Sequence, residues 1–170
     1  MRPKETDYAP YYQQYIDTVK EDDIMLALNK QINTCLEFLK TIPEEKKTHA
    51  YAEGKWTIAE LLGHVIDTER IMTFRALWFA RNDPAPLPGF EQDDFIKYAN
   101  FNQRILQSLI EEWAQLRKSN NILFASFDED ALQRRGVASN KQVTVLALLF
   151  IIVGHMNHHL DILKERYLKV

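Results

Sequence analysis

The chain has 170 residues, within the size range of one domain, and its 46% hydrophobic and 26% charged residues are the balance of an ordinary globular protein. A net charge of −3, with no run of Lys and Arg interleaved with aromatics, excludes the electrostatic footprint of a nucleic-acid binder. The single cysteine, Cys35, excludes an internal disulfide, and no basic region leads into an apolar stretch at the N-terminus, so the expectation is one domain over residues 1–170 in the reducing cytoplasm.

Five glycines and long stretches without proline point to an all-α chain, because a sheet of this size needs many more turn residues. After an aromatic stretch from Tyr8 to Tyr15, Ile24, Leu28, Ile32, Cys35, Leu36 and Leu39 recur at the spacing that lines one helix face. This predicts a first helix over residues 22–41, ending before Pro43, with Cys35 a buried structural thiol. Thr57 and Glu60 form the T-x-x-E pattern of a capping box and start a second helix, whose apolar stripe runs to Arg81. The Asp83–Gly89 segment, rich in proline, breaks it into a long surface connection.

A third helix is expected to begin between Asp94 and Asn100, to carry Phe101, Ile105, Leu109, Trp113 and Leu116 on one side, and to end near Ser126. Residues 128–141 have no clear period and predict a second long connection with one helical turn at most. The last helix follows over residues 142–168. Its apolar run from Val143 to Val153 is too short for a membrane span and reads as the most buried part of a bundle.

Four of the five histidines fall on two of these helices. His155 and His159 lie four residues apart, about 40° around the helix axis, so both point to one side, whereas His158 points about 100° away from His159. His64 sits in the second turn of the second helix among Leu61, Leu62, Val65 and Ile66, where a hydrogen-bonded core histidine is the alternative reading. If the two helices pack together, three imidazoles converge. Three imidazoles suit Zn²⁺, Ni²⁺, Fe²⁺ or Cu²⁺ better than Mg²⁺ or Ca²⁺ and leave a coordination position open.

The run Trp56-Thr57-Ile58-Ala59-Glu60-Leu61-Leu62-Gly63-His64 with Asp67, the run Leu87-Pro88-Gly89-Phe90 with Asp93 or Asp94, Arg117, and the run His155-Met156-Asn157-His158-His159 together resemble the DinB-like superfamily of metal-binding proteins, in particular its YfiT-like thiol-transferase branch. The resemblance implies a four-helix bundle with long crossover connections, often a homodimer, holding one divalent ion, Zn²⁺ or Ni²⁺ foremost, on His64, His155 and His159. It also implies a low-molecular-weight thiol as co-substrate. A divalent cation lowers the pKa of a bound thiol or water, which would serve transfer to a small electrophile or hydrolysis of a small substrate. A non-catalytic metal-binding stress-response bundle, or a helical interaction protein, is the alternative.

Around these histidines, Asp67 is a candidate base or hydrogen-bond acceptor, weighed against an ordinary helix-surface carboxylate. Asp93 and Asp94 are either loop groups near the ion or first-turn carboxylates of the third helix. Asn157 and His158 lie beside the ligands, and Arg70 and Arg75 are candidates for holding an anionic thiol. Trp56, Phe74, Trp78, Phe90 and Phe101 are weighed as cavity walls against core. The expected partners are small molecules, with no nucleic acid and no membrane.

Overall fold

A computed structural model describes all of residues 1–170. Four long helices form the bundle: α2 (Ile24–Leu39), α3 (Ile58–Ala80), α5 (Leu106–Phe124) and α7 (Val145–Ile162), the last continuing as a wider π-type turn to Leu168. Short helices α1 (Gln13–Ile16), α4 (Gln92–Tyr98) and α6 (Glu129–Gln133), and a hairpin of β1 (Arg135–Ala138) and β2 (Lys141–Thr144), fill the connections. Around the bundle the order is α2, α5, α3, α7: α3 packs along both α5 and α7, and α2 packs along both of the same helices. The consecutive helices α2 and α3 therefore stand diagonally, as do α5 and α7, so the connections over residues 40–57 and 125–144 are the crossovers, whereas the long connection after α3 leads to the adjacent α5.

The helix starts follow local chemistry. Asp23 accepts from the Met25 and Leu26 amides at α2, and Thr144 from Ala147 at α7. Thr57 and Glu60 make the reciprocal capping box, with Glu60 N to Thr57 Oγ1 at 3.2 Å and Thr57 N to Glu60 Oε2 at 2.8 Å.

Two expectations are corrected. The third helix is two elements, α4 and α5, separated by Ala99–Ile105, because the 3₁₀ turn at Phe101–Gln103 seats the Phe101 ring directly against Gly63 of α3. Phe101 and Ile105 thus precede α5 rather than forming its face, and Glu44 Oε2 caps the Leu106 amide at 2.8 Å. The second connection is not irregular: Ser139 and Asn140, both at positive φ, make the two-residue turn of a β-hairpin. Residues 142–144 belong to that hairpin, so α7 starts at Val145.

With its continuation, Val145–Leu168 is long and apolar enough by length and composition to cross a membrane, yet 78% of its most apolar window is buried in the bundle. That burial, rather than the shortness of the apolar run, identifies it as a core helix.

The apolar interior is divided in two. One part gathers Leu28, Met72, Phe79, Phe124 and Val145–Val153; the other gathers Cys35, Ile58, Leu62, Ile66, Trp113, Met156, Leu160 and Tyr167. Between them each long helix contributes polar groups: Gln31 from α2, Thr68 and Glu69 from α3, Arg117 and Asn120 from α5, and His155 from α7, all buried. Arg117 forks onto Glu69, with Nε to Oε1 at 2.7 Å and Nη2 to Oε2 at 2.8 Å, and its Nη1 donates to Gln31 Oε1. Asn120 donates to Glu69 at 3.0 Å, and Gln31 donates to Val153 O and Asn157 Oδ1 at 2.8 and 2.6 Å. The belt is charge-neutral and its central pair is hydrogen-bonded on both sides, the condition under which a buried ion pair is tolerated.

Candidate metal centre

At one edge of this belt α3 and α7 meet, and His64, His155 and His159 come together, all buried, with their ligand atoms within 4.8 Å of one another. His155 Nε2 stands 3.0 Å from His64 Nε2 and 3.0 Å from His159 Nε2. A ring nitrogen carries one proton or one lone pair, so the His155 atom forms one good hydrogen bond and not two. Donors about 2.0–2.1 Å from a transition metal and roughly 90–100° apart would be about 2.9–3.2 Å from each other, so the spacing suits a shared cation.

Burial pulls the His64 pKa down to about 4, with the Asp93 carboxylate acting the other way. His155 and His159 are lowered well below the ordinary histidine value by burial and by neighbouring imidazoles. All three rings are therefore neutral at pH 7, the form that ligates metals. Thr68 Oγ1 lies 3.5 Å from His64 Nδ1 on the ring's far side, and the Nδ1 of His159 is buried without a partner. Trp56 and Tyr15 pack against the His64 and His155 rings at centroid distances of 4.7 and 5.4 Å. Tyr15 reaches His155 because its backbone lies hard against Gly154, where an added Cβ would stand 2.1 Å from the Tyr15 carbonyl oxygen.

Two clefts open onto the three rings. The first, about 240 Å³, exposes His64 and His155 and is walled by α3, by the tyrosines of the N-terminal segment and by Phe90–Gln92. On α3 its wall is His64, Thr68, Met72 and Arg75, one helical face. The second, about 320 Å³, exposes His159 beside Trp56, Asp93, Lys55 and Tyr167.

Other candidates are distributed as follows. Asp67 pairs with Arg70 at 3.7 Å in a charged group with Glu112 and Arg104, and it lines neither cleft. Arg70 is held in that same group, whereas Arg75 lies in the wall of the first cleft. Asp93 and Asp94 occupy the first turn of α4 without capping it, and Asp93 also borders the second cleft. His158 packs on Tyr15 and stays outside the three-histidine cluster. Asn157 is a bonding group within the bundle, accepting from Gln31 and donating to Thr18. Trp56 and Phe90 line clefts, Phe101 is core, Phe74 is half-exposed, and Trp78 packs on the core from a partly buried position. Thr68, Met72 and the tyrosine wall went unrecognised in the sequence; the four- and eight-residue spacing from His64 was the available signal for the first two.

A four-helix bundle of crossover topology in which α3 and α7 bury a three-histidine cluster is, as a class, a helical protein with a candidate metal centre. The sequence matches the DinB superfamily over residues 27–163, and the chain belongs to that family. Among solved structures it is similar to YfiT from Bacillus subtilis, described as a probable metal-dependent hydrolase with an unusual four-helix bundle topology. That match has a TM-score of 0.72 and 12% identity and covers 99% of this chain and 93% of YfiT. It is also similar to a mycothiol-dependent maleylpyruvate isomerase, with a TM-score of 0.67 and 14% identity over 81% of this chain and 58% of the enzyme. At these identities the likeness is one of fold. A search of curated protein sequences returns no significant match.

Proposed function

We propose that this protein is a metal-dependent enzyme in which His64, His155 and His159 hold one divalent transition-metal ion, Zn²⁺ or Ni²⁺, and a small molecule enters through the clefts. The observation that carries the proposal is the His155 Nε2 atom, set 3.0 Å from two other ring nitrogens that it cannot satisfy together. Open clefts reaching the rings favour a reactive centre over a closed structural one. The descriptions of the fold relatives as metal-dependent and thiol-dependent agree with this reading. When bound, such an ion would lower the pKa of a thiol or water in its open position and so supply a nucleophile at neutral pH.

The chain's own groups do the rest. Burial keeps the three imidazoles unprotonated, and Trp56 and Tyr15 fix the His64 and His155 ring planes. Tyr11, Tyr12 and Phe90 wall the first cleft against solvent.

The test is metal content by plasma mass spectrometry on untagged protein purified without chelator. About one ion per chain is expected in the wild type and in His158→Ala, with loss in His155→Ala. Equal content in all three, or none after reconstitution, refutes the proposal. Metal-loaded protein would then be assayed with low-molecular-weight thiols and a chromogenic electrophile.

A further inference from the structure

Arg75 is the one cation in the wall of the first cleft, and its charge has no counter-ion. The residue is only 3% exposed. Its Nη2 donates to two neutral acceptors, Pro88 O at 2.8 Å and Ser139 Oγ at 3.1 Å, its Nη1 lies 3.7 Å from the Met72 sulfur, and its remaining neighbours are also uncharged: the Tyr12 phenol and the face of the Phe90 ring, whose centroid is 6.0 Å from the guanidinium carbon. None of the ion pairs in the molecule includes it, in contrast to Arg117, equally buried but forked onto Glu69. The neighbouring ionisable group is the Tyr12 phenol, itself held neutral by burial. Glu91, the one acid in the cleft wall, is exposed.

Clamping the Pro88 carbonyl to the hairpin would need only a neutral donor such as Gln. Burying a full charge is costly unless something pairs with it. With both Nη2 hydrogens taken by Pro88 and Ser139, the N–H groups left for an anion are those of Nε and Nη1, which can make charge-assisted bonds to a carboxylate oxygen. No Lys and no second Arg line the cleft, so the compensation available is for a single negative charge rather than a phosphate dianion. Arg75 lies on the same face of α3 as His64, eleven residues along it, at the far end of a cleft whose near end is His64 and His155. The volume of about 240 Å³ is just under that of drug-sized sites and suits a small metabolite.

We infer that the first cleft binds a small monocarboxylate, with the carboxylate on Arg75 and the rest of the molecule extending toward the histidines. The placement of the reacting end rests on the reading of the histidines as the reactive centre; the carboxylate anchor does not.

The experiment compares 3-phenylpropionate with its uncharged amide, 3-phenylpropionamide, by NMR titration of metal-loaded and of chelated protein. It uses wild type, Arg75→Gln and Arg75→Lys. A charge-assisted pair predicts that wild type prefers the carboxylate by about 10- to 100-fold, loaded or chelated. The preference should vanish in Arg75→Gln and survive in part in Arg75→Lys. Should Arg75→Gln fail to fold, the wild-type Arg75 Nε–H resonance decides, since it must shift with the carboxylate and stay still with the amide.

Equal binding of acid and amide overturns the inference. So does a preference that persists in Arg75→Gln but disappears on chelation, because the ion would then be the anchor. Tighter binding of inorganic phosphate than of the carboxylate overturns the assignment to a monocarboxylate. Absence of bound metal, by contrast, would defeat the proposed function and leave the Arg75 result readable.

Discussion

His155 and His159 were legible as a pair because a four-residue step on a helix keeps two side chains on one face, and their exclusion of His158 followed from the same geometry. Arg75 was less legible: whether a charged residue points into a cleft or toward a surface partner depends on the neighbouring helices, and Arg70, five residues earlier, took the surface alternative. Cys35 behaves as its apolar register suggested, fully buried, with burial pushing its thiol up to about 12. At pH 8 it therefore carries almost no thiolate. Its labelling by a chromogenic disulfide reagent should be slow in native protein and rise to one thiol per chain as urea unfolds it; fast labelling of folded protein would contradict that burial.

The four long helices were readable from apolar period and caps, whereas the hairpin and the break before α5 were not. Four-residue strands are too short for alternation to emerge, and the turn residues Ser139 and Asn140 adopt positive φ without a glycine to announce it. The break at Ala99–Ile105 is set by the docking of Phe101 on Gly63, a contact made far along the chain and invisible to local periodicity. Two substitutions test elements directly. Thr57→Ala removes the N-cap of α3 and should lower stability by about 1 kcal/mol in urea titrations. Gly154→Ala drives a methyl into the Tyr15 backbone and should cost about 1–3 kcal/mol while displacing α1 from α7, seen as altered Tyr15 and His155 resonances.

For the molecule as a whole, the polar belt makes Arg117 and Glu69 a single unit. Glu69→Gln should destabilise the fold by roughly 3–5 kcal/mol, since it strips the partner from a fully buried guanidinium, and Arg117→Met combined with Glu69→Leu should cost less than either change alone. Alkali acts on a different set of groups. Burial raises Tyr167 to about 12, above the ordinary tyrosine value near 10, so the unfolded chain releases that proton first. The stability it contributes is complete below pH 10 and is lost as pH climbs from 10 to 12, a fall that Tyr167→Phe should blunt in thermal melts. The two clefts that reach the histidines by separate routes carry a kinetic consequence. If the reaction joins a thiol to an electrophile, both molecules have room to be present together, so double-reciprocal plots at several thiol concentrations should intersect rather than run parallel. An inert analogue of one reactant should then fail to compete with the other.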